Sequence, residues 1–296
     1  MNPKVTAIVI NYRTADFTVA CIQSLLSQSG VTLEIIVVDN NSGDDSLELI
    51  GSIYGDRIKL IANDKNDGFA KANNLAAKSA QGEFIACVNP DIKITDHNTL
   101  AQLVSHLENH PEVGLAGPQI VEPRKDRLVR PKFYYPEQSQ LRRTDGLQDL
   151  PGALAWILGA FMIFPVKVYR EIGGFDDAFF LYGEDTDICL RVRKAGYLIV
   201  HLKSVEVTHW SSASEEQSDS YDKWRRKKNG YYQFCAKHYD ISDMQRILHK
   251  KARKLKISLK IVKFKQWLKK QGKQQEKIDR MHAELDVIKS FQNLNL

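Results

Sequence analysis

The sequence predicts an α/β fold: a mostly parallel central sheet with helices on both faces, continued by a basic helical extension. Three observations predict it. Short β-rich runs alternate with helical patterns from residue 5 to residue 117. Several of those runs, among them 5–12 and 33–40, are dominated by apolar residues, as strands covered on both faces are. The charge also changes sign along the chain. Residues 1–221 hold 21 Lys or Arg against 29 Asp or Glu, whereas residues 222–296 hold 21 against 7. The basic part is expected to seek an anionic surface.

In order, "VTAIVINY" (5–12) reads as a buried strand, with Thr14 placed to cap a helix reaching about Ser27. "LEIIVVDN" (33–40) is a second strand, followed by a helix over Asp45–Ile53. "RIKLIA" (57–62) is a third, followed by the Ala-rich helix Ala70–Ala80. "EFIACVN" (83–89) is a fourth, followed by a helix over Thr99–His110 and the run "VGLAG" (113–117). From Pro118 to Pro151 the pattern dissolves into an expected surface excursion. Order returns with "ALAWILGAFMIF" (153–164), a short helix at Val166–Ile172, the turn "GGFDD", the stretch "FFLYGEDTDICLRVRKAGY" (179–197) and a strand at "YLIVHL" (197–202) leading to His209. "SSASEEQSDS" (211–220) reads as a loop or linker. These patterns divide the chain at about residue 220, with one half near 1–117, a second near 150–220 and a helical tail over 221–296.

The start, "MNPKVTAIVINYRTADF", breaks its apolar run at Asn11 and shows no leader pattern, and no run of apolar residues is long enough to span a bilayer. The four cysteines, Cys21, Cys87, Cys189 and Cys235, lie far apart without a CxxC, which suits reduced thiols in a cytoplasmic chain.

Four constellations could carry chemistry. In "VVDNNSGDDS" (37–46) a strand ends in Asp39, whose carboxylate could accept hydrogen bonds from a ribose or base, or simply close an Asx turn. In "NDGFAKANNLAA" (66–77), Gly68 permits a tight helix entry whose amides could meet a phosphate, and Asn73 and Asn74 sit where helix propensity would not put them; the plain alternative is an ordinary helix start. In "CVNPDIKI" (87–94), Asp91 stands just past a buried strand, either as turn chemistry or as a ligand to a divalent cation that bridges phosphates. In 179–197, Glu184, Asp185 and Asp187 crowd behind an aromatic run. One acid could cap a helix, but three in apolar surroundings repel one another, which raises carboxylate pKa values and suits a general base. His209 reads either as structural or as a ligand.

Together the motifs "VIVINY", "VVDNNS", "NDGFAKANN", "VNPD", "WILGAFMIF", "GGFDDAFFLYGEDTDICLRVRKAGY" and His209 resemble the family 2 glycosyltransferases, and within them the non-processive, rhamnosyltransferase-like branch of bacterial surface-polysaccharide synthesis. The resemblance implies a GT-A fold, a nucleotide-diphosphate sugar donor, a divalent metal (Mg2+ or Mn2+) and inversion. It implies that Asp185 is the catalytic base, with Glu184 beside it. It also implies that Asn11, Asp39, Asn41, Gly68, Asn73, Asn74 and Asn89 lie about the nucleotide, and that Trp156, Gly159, Ala160 and Asp187 lie about the sugar and acceptor. Asp91 and His209 would be the metal ligands. Asn89 replaces the first acid of the usual metal motif, and Leu158 stands where many relatives carry Ser. By the same likeness the donor is dTDP-rhamnose, with a UDP-hexose or UDP-N-acetylhexosamine as the alternative. The acceptor is a growing glycan on a polyprenyl lipid at the inner face of the cytoplasmic membrane.

In the tail, Leu248, Ala252, Leu255, Leu259 and Val262 share one helical face among lysines, and Phe264, Trp267 and Leu268 extend the apolar material. This segment would either lie on anionic lipid or pack as a solvated helix. Ile278, Met281, Leu285 and Ile288 follow at heptad spacing, which leaves self-association open. "KWRRKKNGYYQF" (223–234) gives a nucleic-acid or nucleotide-sugar binder some appeal. A pure binder would need neither the metal-site acid nor the base, so nucleic acid is not expected. A processive synthase is disfavoured because no Gln-x-x-Arg-Trp motif follows the base region.

Overall fold

A computed structural model describes residues 4–142, 144, 146–210, 219–269 and 275–293, with the side chains of 265–269 outside that description. Trp267, Leu268 and nearly all of the 211–220 stretch therefore lie outside the described residues or side chains.

The first strands form as the apolar runs require. β1 (Val5–Asn11) lies between β2 (Leu33–Asp39) and β4 (Phe84–Val88), and β3 (Lys59–Ala62) lies outside β2, all four parallel. Their alternation sends Val5, Ala7 and Val9 into one core with Cys21, Ile22 and Leu25 of α1 (Ala15–Leu26), Ile50 and Tyr54 of α2 (Ser46–Tyr54), and Leu100, Leu103 and Leu107 of α4 (Thr99–Asn109). The helix α3 (Gly68–Ala77) packs on β1 and β2 through buried Ala72 and Ala76. Thr14 precedes α1 without a side-chain cap; its hydroxyl donates instead to Asn11 Oδ1 at 3.1 Å.

The second half of the sheet is mixed. β8 (Phe161–Pro165) runs antiparallel to both β4 and β6 (Val113–Glu122), while β6 is parallel to β9 (Leu198–His209). β7 (Arg127–Val129) pairs with β6, and the two-residue β5 (Ile92–Lys93) pairs with the end of β9, giving the order β3-β2-β1-β4-β8-β6-β9-β5. Two sequence expectations are corrected here. The strand at 113 does not stop at Pro118 but continues to Glu122, and Pro118 lies at a register irregularity with β9, where a missing N–H is tolerated. β9 likewise runs past Leu202, so His209 is its last residue. α5 (Val166–Glu171) and α6 (Glu184–Lys194) complete these elements, and α6 packs on β6 and β9.

The chain divides into two compact units: Met1–Tyr134, Asp149–Phe180 and Glu184–Ser214 in one, and Tyr135–Gln148, Leu181–Gly183 and Glu215–Leu296 in the other. The second unit is thus more than the tail expected from residue 221 onward. It contains α7 (Ser220–His238), α8 (Ile241–Lys269) and α9 (Gln275–Asn293). Glu137 accepts hydrogen bonds from Tyr231 Oη (2.6 Å) and Lys251 Nζ (3.0 Å), and Asp243 accepts from the Arg142 amide (2.9 Å), which tie 135–148 to the helices. Leu255, Leu259 and Val262 of α8 meet Ile278 and Met281 of α9, so the apolar row read from the sequence is a packing face. Cys21, Cys87, Cys189 and Cys235 are buried free thiols, and among the described residues no helix is long and apolar enough to cross a membrane.

Candidate active site

The ends of β1 and β2 form a tightly bonded lip. Asn11 is fully buried; its Nδ2 donates to Asp39 Oδ1 (2.7 Å) and its Oδ1 accepts from Thr18 Oγ1 (2.8 Å). Asp39 also accepts from Ser42 Oγ (2.6 Å) and the Ser42 amide (3.1 Å). Asp39 thus fixes the loop that follows through Ser42, three residues on. Asn41 is exposed in the left-handed region (φ 58°), with its side chain donating to Asp64 O at 3.1 Å. Two residues the sequence reading missed belong here. Asn40 bonds Asn63, Asn66, Asp67 and Gly68, stitching the loop after β2 to the start of α3. Arg13, exposed, donates from Nε to Ser42 O at 2.9 Å and holds a cation at the lip.

Gly68 opens α3 at φ 81°, and a Cβ there would stand 2.2 Å from Phe180 O. The tight entry expected from the sequence is real, but its amides are already used. Gly68 N–H donates to Asn66 Oδ1 (3.0 Å) and Phe69 N–H to Phe180 O (2.8 Å), so neither is free for a phosphate. Asn74 donates to Phe175 O and Asp177 Oδ1 (2.7 Å each) and accepts from Tyr169 Oη and the Phe175 amide (2.9 Å each), so its amide ties α3 to the segment 169–177. Asn73 is fully buried, donates to Phe69 O at 2.9 Å, and its Oδ1 has no hydrogen-bond partner among the described residues.

Past β4 the chain turns at Asn89-Pro90-Asp91. The Asn89 amide donates to Ala160 O (2.9 Å), and β5 pairs Ile92 with His209. That pairing brings buried Asp91 and buried His209 together, Oδ1 to Nε2 at 3.2 Å. Two donor atoms at this spacing suit adjacent positions around a cation bound at about 2.1 Å. His209 Nδ1, buried and without a hydrogen bond among the described residues, points at Glu122 Oε1 from 3.6 Å. Glu122 is buried at the end of β6 and held by Lys125 and Arg127. No three His, Cys, Asp or Glu side chains among the described residues form a metal set by themselves. The residues fit a cation that keeps water and substrate oxygens for the rest of its shell, as Mg2+ does. Glu122 escaped the sequence reading because Pro118 was taken to end its strand; the signal was the same as for Asp39 and Asp91, an acid closing an apolar run.

The third group lies on Gly159 and α6. The Gly159 amide donates to Asp185 Oδ2 at 3.3 Å, and Thr186 donates to Oδ1 from its amide (2.7 Å) and hydroxyl (3.2 Å). A Cβ on Gly159 would lie 3.0 Å from Asp185 Cβ, a contact tight enough that one side would have to give. Since Ala160 O holds Asn89, two successive residues link Asp185 to the strand end that carries Asp91. Burial raises the Asp185 pKa, against the pull of the Thr186 and Gly159 amides. Burial, and then the neighbouring Asp185 charge, raise that of Glu184 to about 8, and one Glu184 oxygen has no hydrogen-bond partner among the described residues. Asp187 is fully buried and paired with Arg191 at 2.7 Å, whose Nη1 donates to Ile172 O and Gly174 O, so the pair braces a turn. Trp156 is half-buried; its backbone pairs with Lys132 and its Nε1 donates to Tyr134 O at 3.2 Å.

The sequence matches the family model described as Glycosyl transferase family 2 over residues 6–173, and that of Glycosyl transferase family group 2 over residues 94–268. It is 28% identical over 225 residues to the O-antigen biosynthesis protein RfbC of Myxococcus xanthus, an alignment covering 72% of this chain and 18% of that protein. It is 22% identical over 242 residues to the N-acetylglucosaminyl-diphospho-decaprenol L-rhamnosyltransferase of Mycobacterium tuberculosis, covering 72% of this chain and 78% of that one. The chain spans 18% to 26% of the length of the first curated relatives it matches. Among solved structures it resembles the mannosyltransferase PcManGT from Pyrobaculum calidifontis in complex with GDP-Man and Mn2+. The TM-score is 0.62 at 19% identity, covering 100% of this chain and 88% of that one.

Proposed function

The chain belongs to glycosyl transferase family 2 and has a GT-A fold, and from that premise we propose that it transfers a sugar, with inversion, from a nucleotide-diphosphate donor to a hydroxyl of a growing surface glycan. The observation that carries this reading is the Asp185 carboxylate, held by the Gly159 and Thr186 amides and linked through Gly159-Ala160 to the Asp91–His209 pair. In the single displacement, the acceptor O–H gives its proton to Asp185 as its oxygen bonds to the anomeric carbon and the bond to the diphosphate breaks. The three hydrogen bonds to Asp185 fix the carboxylate where that proton must be taken. Glu184, protonated, adds no second negative charge beside it. Asp91 and His209 are the residues that would hold a Mg2+ or Mn2+, with Glu122 orienting His209. Such a cation, when bound, supplies charge neutralisation on the departing diphosphate. Arg13 at the lip adds a fixed cation on the nucleotide side.

The donor is taken to be dTDP-rhamnose and the acceptor a lipid-linked glycan, read from the similarity to a protein named as a rhamnosyltransferase acting on a decaprenol-linked sugar. Work on such an acceptor places the chain at the cytoplasmic face of a bacterial membrane, held there by its basic part. The test is a thermal-shift panel of dTDP, UDP and GDP and their sugars, with and without Mn2+, since a ligand that binds only the folded state raises its melting temperature. Metal-dependent stabilisation by dTDP and dTDP-rhamnose is expected. Stabilisation by UDP-sugars alone would replace the donor, and no response to any nucleotide would overturn the reading.

A further inference from the structure

Helix α8 carries two apolar rows. One, Leu255, Leu259 and Val262, packs on α9. The other, Ile257, Ile261 and Phe264, is 53%, 49% and 59% exposed. Two residues along a helix are about 200° apart around its axis, so Ile257 lies nearly opposite Leu255 and Leu259. The spacing of Ile257, Ile261 and Phe264 puts all three on one face. By the same geometry Lys250, Arg253, Lys254 and Lys260 fall within about 60° of Ile257, and all four are exposed. Between Met244 and Phe264 the chain has eight Lys or Arg and no Asp or Glu. Two of the eight serve the unit itself, Lys251 on Glu137 (3.0 Å) and Arg246 on Asp243.

We propose that this outer face of α8 docks on an anionic phospholipid bilayer, the Ile257–Ile261–Phe264 row entering the interface and the flanking cations meeting headgroup phosphates. The inference rests on the membrane contact proposed above and names its surface, which is the opposite face from the apolar row the sequence made prominent. A helix whose packing face is already satisfied has no need of large aliphatics in water on its other side, and a row of them bordered only by cations matches the interfacial amphipathic pattern. A polyanion such as nucleic acid would reward the cations but not Ile257 and Ile261, which cannot stack on bases. A protein partner would have to be both apolar at its centre and acidic around it.

The test uses the full chain and co-sedimentation with vesicles of phosphatidylglycerol and phosphatidylcholine, against phosphatidylcholine alone, at low and high salt. The wild type is expected to bind the anionic vesicles and to release at high salt. The combined Ile257→Ser, Ile261→Ser, Phe264→Ser variant should lose binding about a hundredfold, and Lys250→Gln, Arg253→Gln, Lys254→Gln, Lys260→Gln about six-hundredfold, at about fivefold per cation. All these side chains are exposed, so melting temperatures and nucleotide-induced shifts should stay at wild-type values. Because vesicle binding needs no donor, its failure is distinct from failure of the nucleotide site. Equal binding by wild type and serine variant, binding to neutral vesicles alone, or loss in the serine variant of self-association or of binding to a single-stranded oligonucleotide in place of vesicle binding would each overturn the proposal.

Discussion

Gly159→Ala is the smallest change that interrogates the proposed base. A Cβ at this position would meet Asp185 Cβ at 3.0 Å and lie 3.7 Å from its Cγ and Oδ2. A contact that close forces Asp185 or the 159 backbone to give by a few tenths of an ångström. Overpacking of this kind costs about 1–3 kcal/mol of stability, so the variant should fold with a lowered melting temperature. About 1 Å of misplacement costs about a hundredfold in rate, so a few tenths should cost about three- to tenfold in kcat, or about 1 kcal/mol of barrier. The assay is steady-state transfer to a soluble acceptor, with donor affinity measured separately by nucleotide-dependent thermal shift. The expected pattern is reduced kcat with donor affinity intact. Unchanged kcat in a folded variant would refute the contact as a determinant of base position. A fall in donor affinity with kcat preserved would make Gly159 a wall of the donor pocket instead.

Asp185→Asn should lower kcat by about 10²–10⁴-fold while nucleotide-induced stabilisation persists; a variant of wild-type rate would remove Asp185 as base. Glu184 titrates near 8 in the folded chain against an ordinary 4.5, so the folded state binds the extra proton between those values and stability falls as pH rises through that window. The melting temperature should therefore decline from pH 5 to 8 at no more than about 1.4 kcal/mol per pH unit of slope, and Glu184→Gln should flatten that decline; an unaltered profile would refute the assignment. Asn74→Ala removes four hydrogen bonds worth about 0.5–1.5 kcal/mol each, so it should destabilise by about 2–6 kcal/mol without changing donor affinity; a selective loss of donor affinity would assign it to the nucleotide site. Glu122→Gln should weaken Mn2+ by about 10–100-fold, read from the metal concentration needed for nucleotide-induced stabilisation; an unchanged requirement would deny it any role on His209.

The first strands of the sheet were legible because β1, β2 and β4 are dominated by apolar residues that are buried, which burial on both faces produces. The antiparallel insertion of β8 was not, since the residues Phe161–Pro165 would read the same in either direction. Pro118 hid the rest of β6, and with it Glu122, because a lost N–H is a local property while its tolerance at a register irregularity is a tertiary one. Asp91, Asp185 and His209 stood out as acids and an imidazole at element ends, and the fold brings Asp91 and His209 into contact. Asn74 and Asp187 stood out equally, and both bond groups of the chain itself. A polar residue set on a helix among apolar neighbours looks the same from the sequence whether its partner is a ligand or the chain's own backbone.

That ambiguity resolves for the three acids at 184–187 by asking what each one touches. Asp187 is neutralised by Arg191, which also donates to the Ile172 and Gly174 carbonyls, so the charge of the pair is committed to the turn. Glu184 is buried, has an oxygen without a hydrogen-bond partner among the described residues, and sits beside a second carboxylate; each condition disfavours its ionised form. Asp185 feels the same burial but accepts from two amides and a hydroxyl, and donors aimed at a carboxylate favour its charge. When two neighbouring acids are pushed apart in this way, the one held by donors keeps the negative charge and the other keeps the proton. In the proposed reaction the base must enter ionised, which assigns the proton transfer to Asp185 and leaves Glu184 to keep the surroundings of that charge neutral.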